Sequence, residues 1–145
     1  MHVAYFDLET TGFPTTSEIL QIAVETEKDD TYNQFLFPDT HYIPQGAQKV
    51  HGISIVDEEL HKNGKKLPDV VSAIDGLKEF IEFLNGLRAN DDDKIVLCAH
   101  NGLRFDSKVL TYNLQKRDLS LPRNVEFKDS LNILKKYKEE RGMWI

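Results

Sequence analysis

Five consecutive apolar residues, Ile95-Val96-Leu97-Cys98-Ala99, restrict what this chain can fold into more than any other segment. A run this short, without polar alternation, fits a strand buried on both faces, which requires a sheet covered from both sides. Val3 to Phe6 is a second short apolar run. Ile19, Ile22 and Val24 fall in an expected strand over 18–26, Lys28-Asp29-Asp30 makes a turn, and Tyr32, Phe35 and Phe37 mark a third strand. These first three strands read as an antiparallel meander. The stretch from Pro44 to Gly52 reads as a short helix and a turn. Val70, Ile74, Leu77, Ile81 and Leu84 alternate spacings of four and three, which predicts a helix from Pro68 to about Leu87 with Pro68 in its first turn. A second helix is expected from Phe105 to about Lys116, a short strand at Val125 to Phe127, and a final helix over 130–140 carrying Leu131, Leu134 and Tyr137. Three strands, then helices alternating with strands, predict an α/β fold: a mixed five-stranded sheet flanked by helices.

A chain of 145 residues is expected to form one domain. No apolar run has the length of a membrane-spanning helix. Met1-His2 leads directly into a strand, so no cleavable secretory signal is expected, and the single cysteine, Cys98, has no partner for an internal disulfide. Both points suggest an intracellular protein without separating nucleus from cytosol, and neither bears on oligomeric state. The net charge of -6, from 18 basic and 24 acidic residues, argues against coating long stretches of nucleic acid. It leaves room for an enzyme that grips one strand end with the help of divalent cations.

The first strand ends in "YFDLETTGF", residues 5 to 13, and places two carboxylates where an apolar strand finishes. Asp7 and Glu9 are two apart, so on a strand they share one face. Like charges side by side repel unless a cation stands between them. A solvated strand end and a metal site are both consistent with Asp-x-Glu alone. Thr10-Thr11-Gly12 then forms a small polar turn that allows close approach of a ligand. Asp91-Asp92-Asp93 reads as a solvated loop, because nothing in the sequence fixes its geometry.

"FDLETTG" together with "AHNGLRFDS", residues 99 to 107, resembles the first two motifs of the DEDDh group of 3′-5′ exonucleases, which have a ribonuclease H-like fold. "VHGIS", residues 50 to 54, resembles the segment those enzymes carry between the two motifs. An accidental D-x-E-T-T-G in a chain this long has odds on the order of one in ten thousand. The resemblance implies catalytic and metal-ligating roles for Asp7, Glu9 and Asp106 around two Mg²⁺ or Mn²⁺ ions. It also implies nucleic acid with a 3′ end, single-stranded, as the partner. Hard carboxylate oxygens suit such ions, and two of them can polarise a phosphodiester from both sides. By the same resemblance Thr10, Thr11, Phe13, His100, Asn101 and Phe105 are substrate-binding. Phe13 reads equally as a wedge beside the terminal base or as a loop anchor, and Phe105 as a substrate contact or a core anchor. His51 and His100 read more readily as loop or packing histidines than as bases. Cys98 reads as packing. Lys135, Lys136 and Lys138 read as a solvated helix face.

The third motif of that group, a histidine followed after four residues by an aspartate, is not matched. The sequence has no histidine after His100, and neither Asp118 nor Asp129 stands in a His-x-x-x-x-Asp frame. The expectation is therefore either an exonuclease domain incomplete at its C-terminal part, weak or inactive as it stands, or a non-catalytic module of the same fold that binds nucleic acid or a protein.

Overall fold

The computed structural model describes residues 1–99 and 103–128. Strand β1 (His2–Thr10) is central. It pairs antiparallel with β2 (Ile19–Thr26), which pairs antiparallel with β3 (Thr31–Phe37). The three-stranded meander is thus as expected. Helix α1 (Gln45–His51) follows, then a small antiparallel sheet of β4 (Ile53–Val56), β5 (Glu59–Lys62) and β6 (Lys65–Lys66). Strand β7 (Val71–Ser72) leads into helix α2 (Ala73–Gly86), followed by β8 (Ile95–Ala99), helix α3 (Leu103–Gln115) and β9 (Val125–Lys128). The main sheet has the order β7-β3-β2-β1-β8-β9, with β8 parallel to both β1 and β9, and β7 parallel to β3. It is a mixed α/β sheet of the ribonuclease H-like type. The helix expected over 130–140, with Lys135, Lys136 and Lys138, lies outside the described residues.

Among the described residues the sheet has six strands where five were expected. The extra strand, β7, occupies what read as the first turn of a helix beginning at Pro68. Asp69 takes a left-handed backbone conformation (φ 57°), which interrupts any helix there. Ser72 is the actual N-cap, its hydroxyl accepting from the Asp75 amide at 3.2 Å. The buried stripe therefore shifts to Ala73, Gly76, Leu77, Phe80 and Leu84, and Ile74, expected in the core, is 39% exposed.

Alternation along β1 divides its side chains between two faces. Ala4, Phe6 and Leu8 join a core with Ile22, Leu36, Leu77, Phe80 and Val109, covered by α2 and α3. Val3 and Tyr5 join Val96 and Cys98 on the other face. A third cluster, Leu20, Ile43, Ile53 and Leu60, fastens α1 and the small sheet to the main one.

The small sheet was not anticipated from the sequence. Its two hairpins have two-residue loops, Asp57-Glu58 and Asn63-Gly64, all four with positive φ. That is the geometry of type I′ turns, which suits the right-handed twist of paired strands. Asn-Gly was a legible signal for the second hairpin. Asp-Glu carries no such signal.

Gly76 faces β3 at close range. A Cβ there would lie 2.6 Å from Leu36 Cγ and within 3.0 Å of both its methyl carbons, and Leu36 is fully buried. Gly76→Ala would add about 1 kcal/mol of helix propensity but force overpacking that costs about 1–3 kcal/mol. Urea melts should show net destabilisation; a more stable variant would mean that β3 and α2 give way easily.

Candidate functional site

Among the described residues β8 pairs with β1 as far as Phe6↔Ala99, and from Asp7 to Thr10 the described partner of β1 is β2. Asp106, in the first turn of α3, reaches β1 at this end: its carboxylate accepts a hydrogen bond from the Leu8 amide. Asp7 and Glu9 flank that amide and project from the opposite face to Leu8. A register irregularity between Glu9 and Thr10 disturbs the pairing with β2 at the same place. Such bulges re-aim side chains at sheet ends and accompany active sites.

Asp7, Glu9 and Asp106 line one cleft of about 270 Å³. Asp106 is 6% exposed, and its pKa is pushed up to about 6. Burial is the main cause, the Asp7 charge adds to it, the Leu8 amide opposes it, and Glu9 contributes a smaller repulsion. The three carboxylates are therefore electrostatically coupled. They do not form a closed cage: among the described residues no group of three or more His, Cys, Asp or Glu side chains is arranged to hold a metal ion.

The loop after β1 is internally bonded. Thr10 donates its hydroxyl to the Gly12 carbonyl at 2.8 Å, and the Thr11 hydroxyl accepts from the Glu18 amide at 3.0 Å. Both hydroxyls shape the loop. Phe13 stands at the mouth of the cleft, 84% exposed. Phe105 lines the cleft and also packs against the main core, as the core-anchor reading expects. His100 and Asn101 lie outside the described residues. Cys98 is buried in its packing cluster. The aspartate run lies at the opposite end of β1, where Asp93 pairs with the Met1 amino group at 2.7 Å and His2 at 2.6 Å.

The opposite wall comes from α1, through Ala47, Val50 and His51. Val50 is 73% exposed, and nothing in a seven-residue helix without buried residues signals that role from sequence. His51 Nε2 lies 2.9 Å from the Thr10 carbonyl, which can only accept, so Nε2 carries the proton. Nδ1 then accepts from the Ile53 amide at 3.1 Å. With both nitrogens engaged, His51 ties α1 to the end of β1 and is not a free base. Gly52 follows with φ 75° and caps α1; a Cβ there would lie 2.1 Å from Asn63 Oδ1.

Fold and cleft together define a ribonuclease H-like domain of the nuclease-like or nucleic-acid-binding class. More particularly, the chain belongs to the Exuperantia RNAse H-like domain family, whose model matches residues 1–140. No curated protein matches it.

The position of Asp106 gives a signed pH dependence. Its raised pKa means that the folded chain holds this proton up to about pH 6, whereas the unfolded chain releases it near 4. The stabilising contribution of the protonated form is present below about pH 4 and is lost as pH rises through about 6. Asp106→Asn keeps an acceptor for the Leu8 amide and removes the ionisation. In metal-free buffer at pH 7.5 it should stabilise the fold by about 1–3 kcal/mol, with the gain vanishing towards pH 4. Denaturant melts across that range check it, and a pH-independent difference would contradict the coupling.

Proposed function

We propose that this domain seats the 3′ end of a single nucleic-acid strand in the Asp7–Glu9–Asp106 cleft, as a metal-dependent 3′-5′ exonuclease of low intrinsic activity. The observation that carries the reading is the meeting of three carboxylates from two elements at the end of β1, with exposed apolar side chains, Phe13 and Val50, lining the same cleft. A scaffold has no use for a buried acid whose ionisation is opposed by two neighbours.

The donor set fits Mg²⁺ or Mn²⁺. Mg²⁺ binds through one or two carboxylates, with water and substrate phosphate completing the shell, so an open arrangement suits it better than a closed cage. Asp7, Glu9 and Asp106, which line the cleft together, would hold the ions. When bound, such ions supply the positive charge that polarises a scissile phosphate. Asp106 enters this role from a position fixed by the Leu8 amide. Phe13 and Val50 would take the terminal base between them, and the bonded Thr10–Gly12 turn would keep that wall in place.

His51, the one histidine among the described residues lining the cleft, is engaged through both nitrogens and is not free to act as general base. A positioned base contributes about 10²–10⁴-fold, so slow turnover is expected. That observation also favours a second reading, in which the domain holds a strand end without cleaving it.

Two measurements test the proposal. Millimolar Mn²⁺ or Mg²⁺ should raise the melting temperature by a few degrees, about what a ligand near tenfold over its Kd gives a domain of this size. Asp7→Ala should remove the shift; an unchanged shift would refute the metal assignment. On a labelled strand, the chain should prefer a free 3′-hydroxyl to a 3′-phosphate or a circular strand. It should release mononucleotides slowly, and Glu9→Ala should stop the release. End-preferring binding without hydrolysis would select the second reading, and equal affinity for circular and linear strands would refute both.

A further inference from the structure

The small sheet separates its charges along its length. Its β4–β5 turn carries Asp57 and Glu58, and Glu59 follows. Its β5–β6 turn is closed by a facing pair of lysines, Lys62 and Lys65. β5 is four residues long, so the acidic and basic ends stand about 10 Å apart.

The basic end is the one docked on the cleft wall. The Asn63 amide donates to the Gly52 carbonyl at 2.9 Å, and Gly52 directly follows His51, which lines the cleft. Lys49 lies in the last turn of α1, exposed and next to Val50. Lys62 is preset, its Nζ 5.8 Å from the centroid of the Phe35 ring. Lys66 is tethered to Glu59 at 3.0 Å, whereas among the described residues Lys49 and Lys65 have no acidic partner.

We propose that Lys49, Lys62 and Lys65 form a phosphate-binding ridge for the part of a single strand that lies 5′ of the end held in the cleft. This rests on the nucleic-acid reading above and extends it to a second surface. A cleft of about 270 Å³ lies at or below the lower limit of pockets for drug-sized ligands, so a longer strand must leave it over a wall. On leaving the carboxylates in a chain of net charge -6, the strand needs local compensation. Charges beyond about 8 Å are largely screened at physiological salt, so cations at the exit govern what the strand meets. Lysine ammonium groups suit phosphate as point charges without reading bases.

The test is fluorescence anisotropy of a labelled ten-nucleotide single strand with a free 3′-hydroxyl, at several salt concentrations, with a circular strand and a dinucleotide as competitors. The proteins are the full chain, the triple variant K49Q/K62Q/K65Q, and Lys28→Gln, at the far end of the main sheet, as control. The triple variant should bind the ten-nucleotide strand about tenfold more weakly or worse. Its slope of log affinity against log salt should be shallower by about two, the value for three lost phosphate contacts on a single strand. Competition by the dinucleotide should be unchanged, and Lys28→Gln should match the parent. Parental affinity and salt slope in the triple variant would overturn the ridge. So would an equal loss of dinucleotide binding, or no binding of the ten-nucleotide strand by the parent chain. If circular and linear strands compete equally while the triple variant weakens both, the ridge stands and the end-binding reading falls.

Discussion

Everything at the cleft depends on the bond by which Asp106 meets the backbone of β1 at Leu8. From Ala4 to Phe6 the strand is paired on both edges, and its side chains there are buried. Past Phe6 no described residue of β8 pairs with that edge, and an unpaired amide at a buried strand end would be expensive to leave unsatisfied. Asp106 meets that need at Leu8. The same bond brings a carboxylate up to two others, so the satisfaction of a backbone donor and the assembly of the site are one event. Replacing Asp106 by an apolar residue would therefore disturb the fold and the chemistry together, whereas asparagine separates them.

A second network holds the walls in register. Glu18, at the foot of β2, is buried, yet its carboxylate accepts from the amides of Asp39 and Thr40 and from the Thr40 hydroxyl. Asp39 pairs with Arg117 at 2.6 Å, and Arg117 bonds to Asn113, whose side chain donates to the Ser17 carbonyl. The segment entering α1, the loop carrying Phe13 and the helix carrying Asp106 are thereby linked through buried Glu18 and Asn113 and the partly exposed Asp39–Arg117 pair. Buried charge satisfied this fully is rigid, because loss of either partner strands the other in a low dielectric. Loops by themselves would hold these elements less firmly.

The meander and β8 were legible because short apolar runs with clear turns leave few alternatives, and both were found where expected. The start of α2 was misread because Pro68 and Val70 imitate a first turn and a stripe position, while the capping serine and the left-handed Asp69 act only through backbone geometry. The small sheet went unseen for a similar reason: Asp57-Glu58 adopts a turn that sequence normally advertises with glycine or asparagine. At the site, the common face of Asp7 and Glu9 followed from strand periodicity. Asp106 was reached only through the resemblance of its motif, since no local pattern tells that a helix start will meet a particular amide ninety-eight residues back. Val50 could not be read at all, because exposure on a short helix looks the same whether or not a cleft lies beside it.

The histidine in "VHGIS" shows how a residue can serve a site without reacting there. Its Nε2–H reaches the carbonyl of Thr10 and its Nδ1 receives the Ile53 amide, so it fixes the distance between the strand that bears the carboxylates and the helix that faces them. Gly52 next to it lets the chain reverse so that the Asn63 turn packs against the helix end. Two consecutive residues thus set both the width of the cleft and the placement of the lysines beyond it. In the reading proposed above, a polyanion with one end among the carboxylates would meet attraction at its tail only where repulsion from the floor has ended. That reading has a strand enter by its terminus and not lie across the cleft, because only the former would place phosphates on the lysines while a single nucleotide confronts the carboxylates.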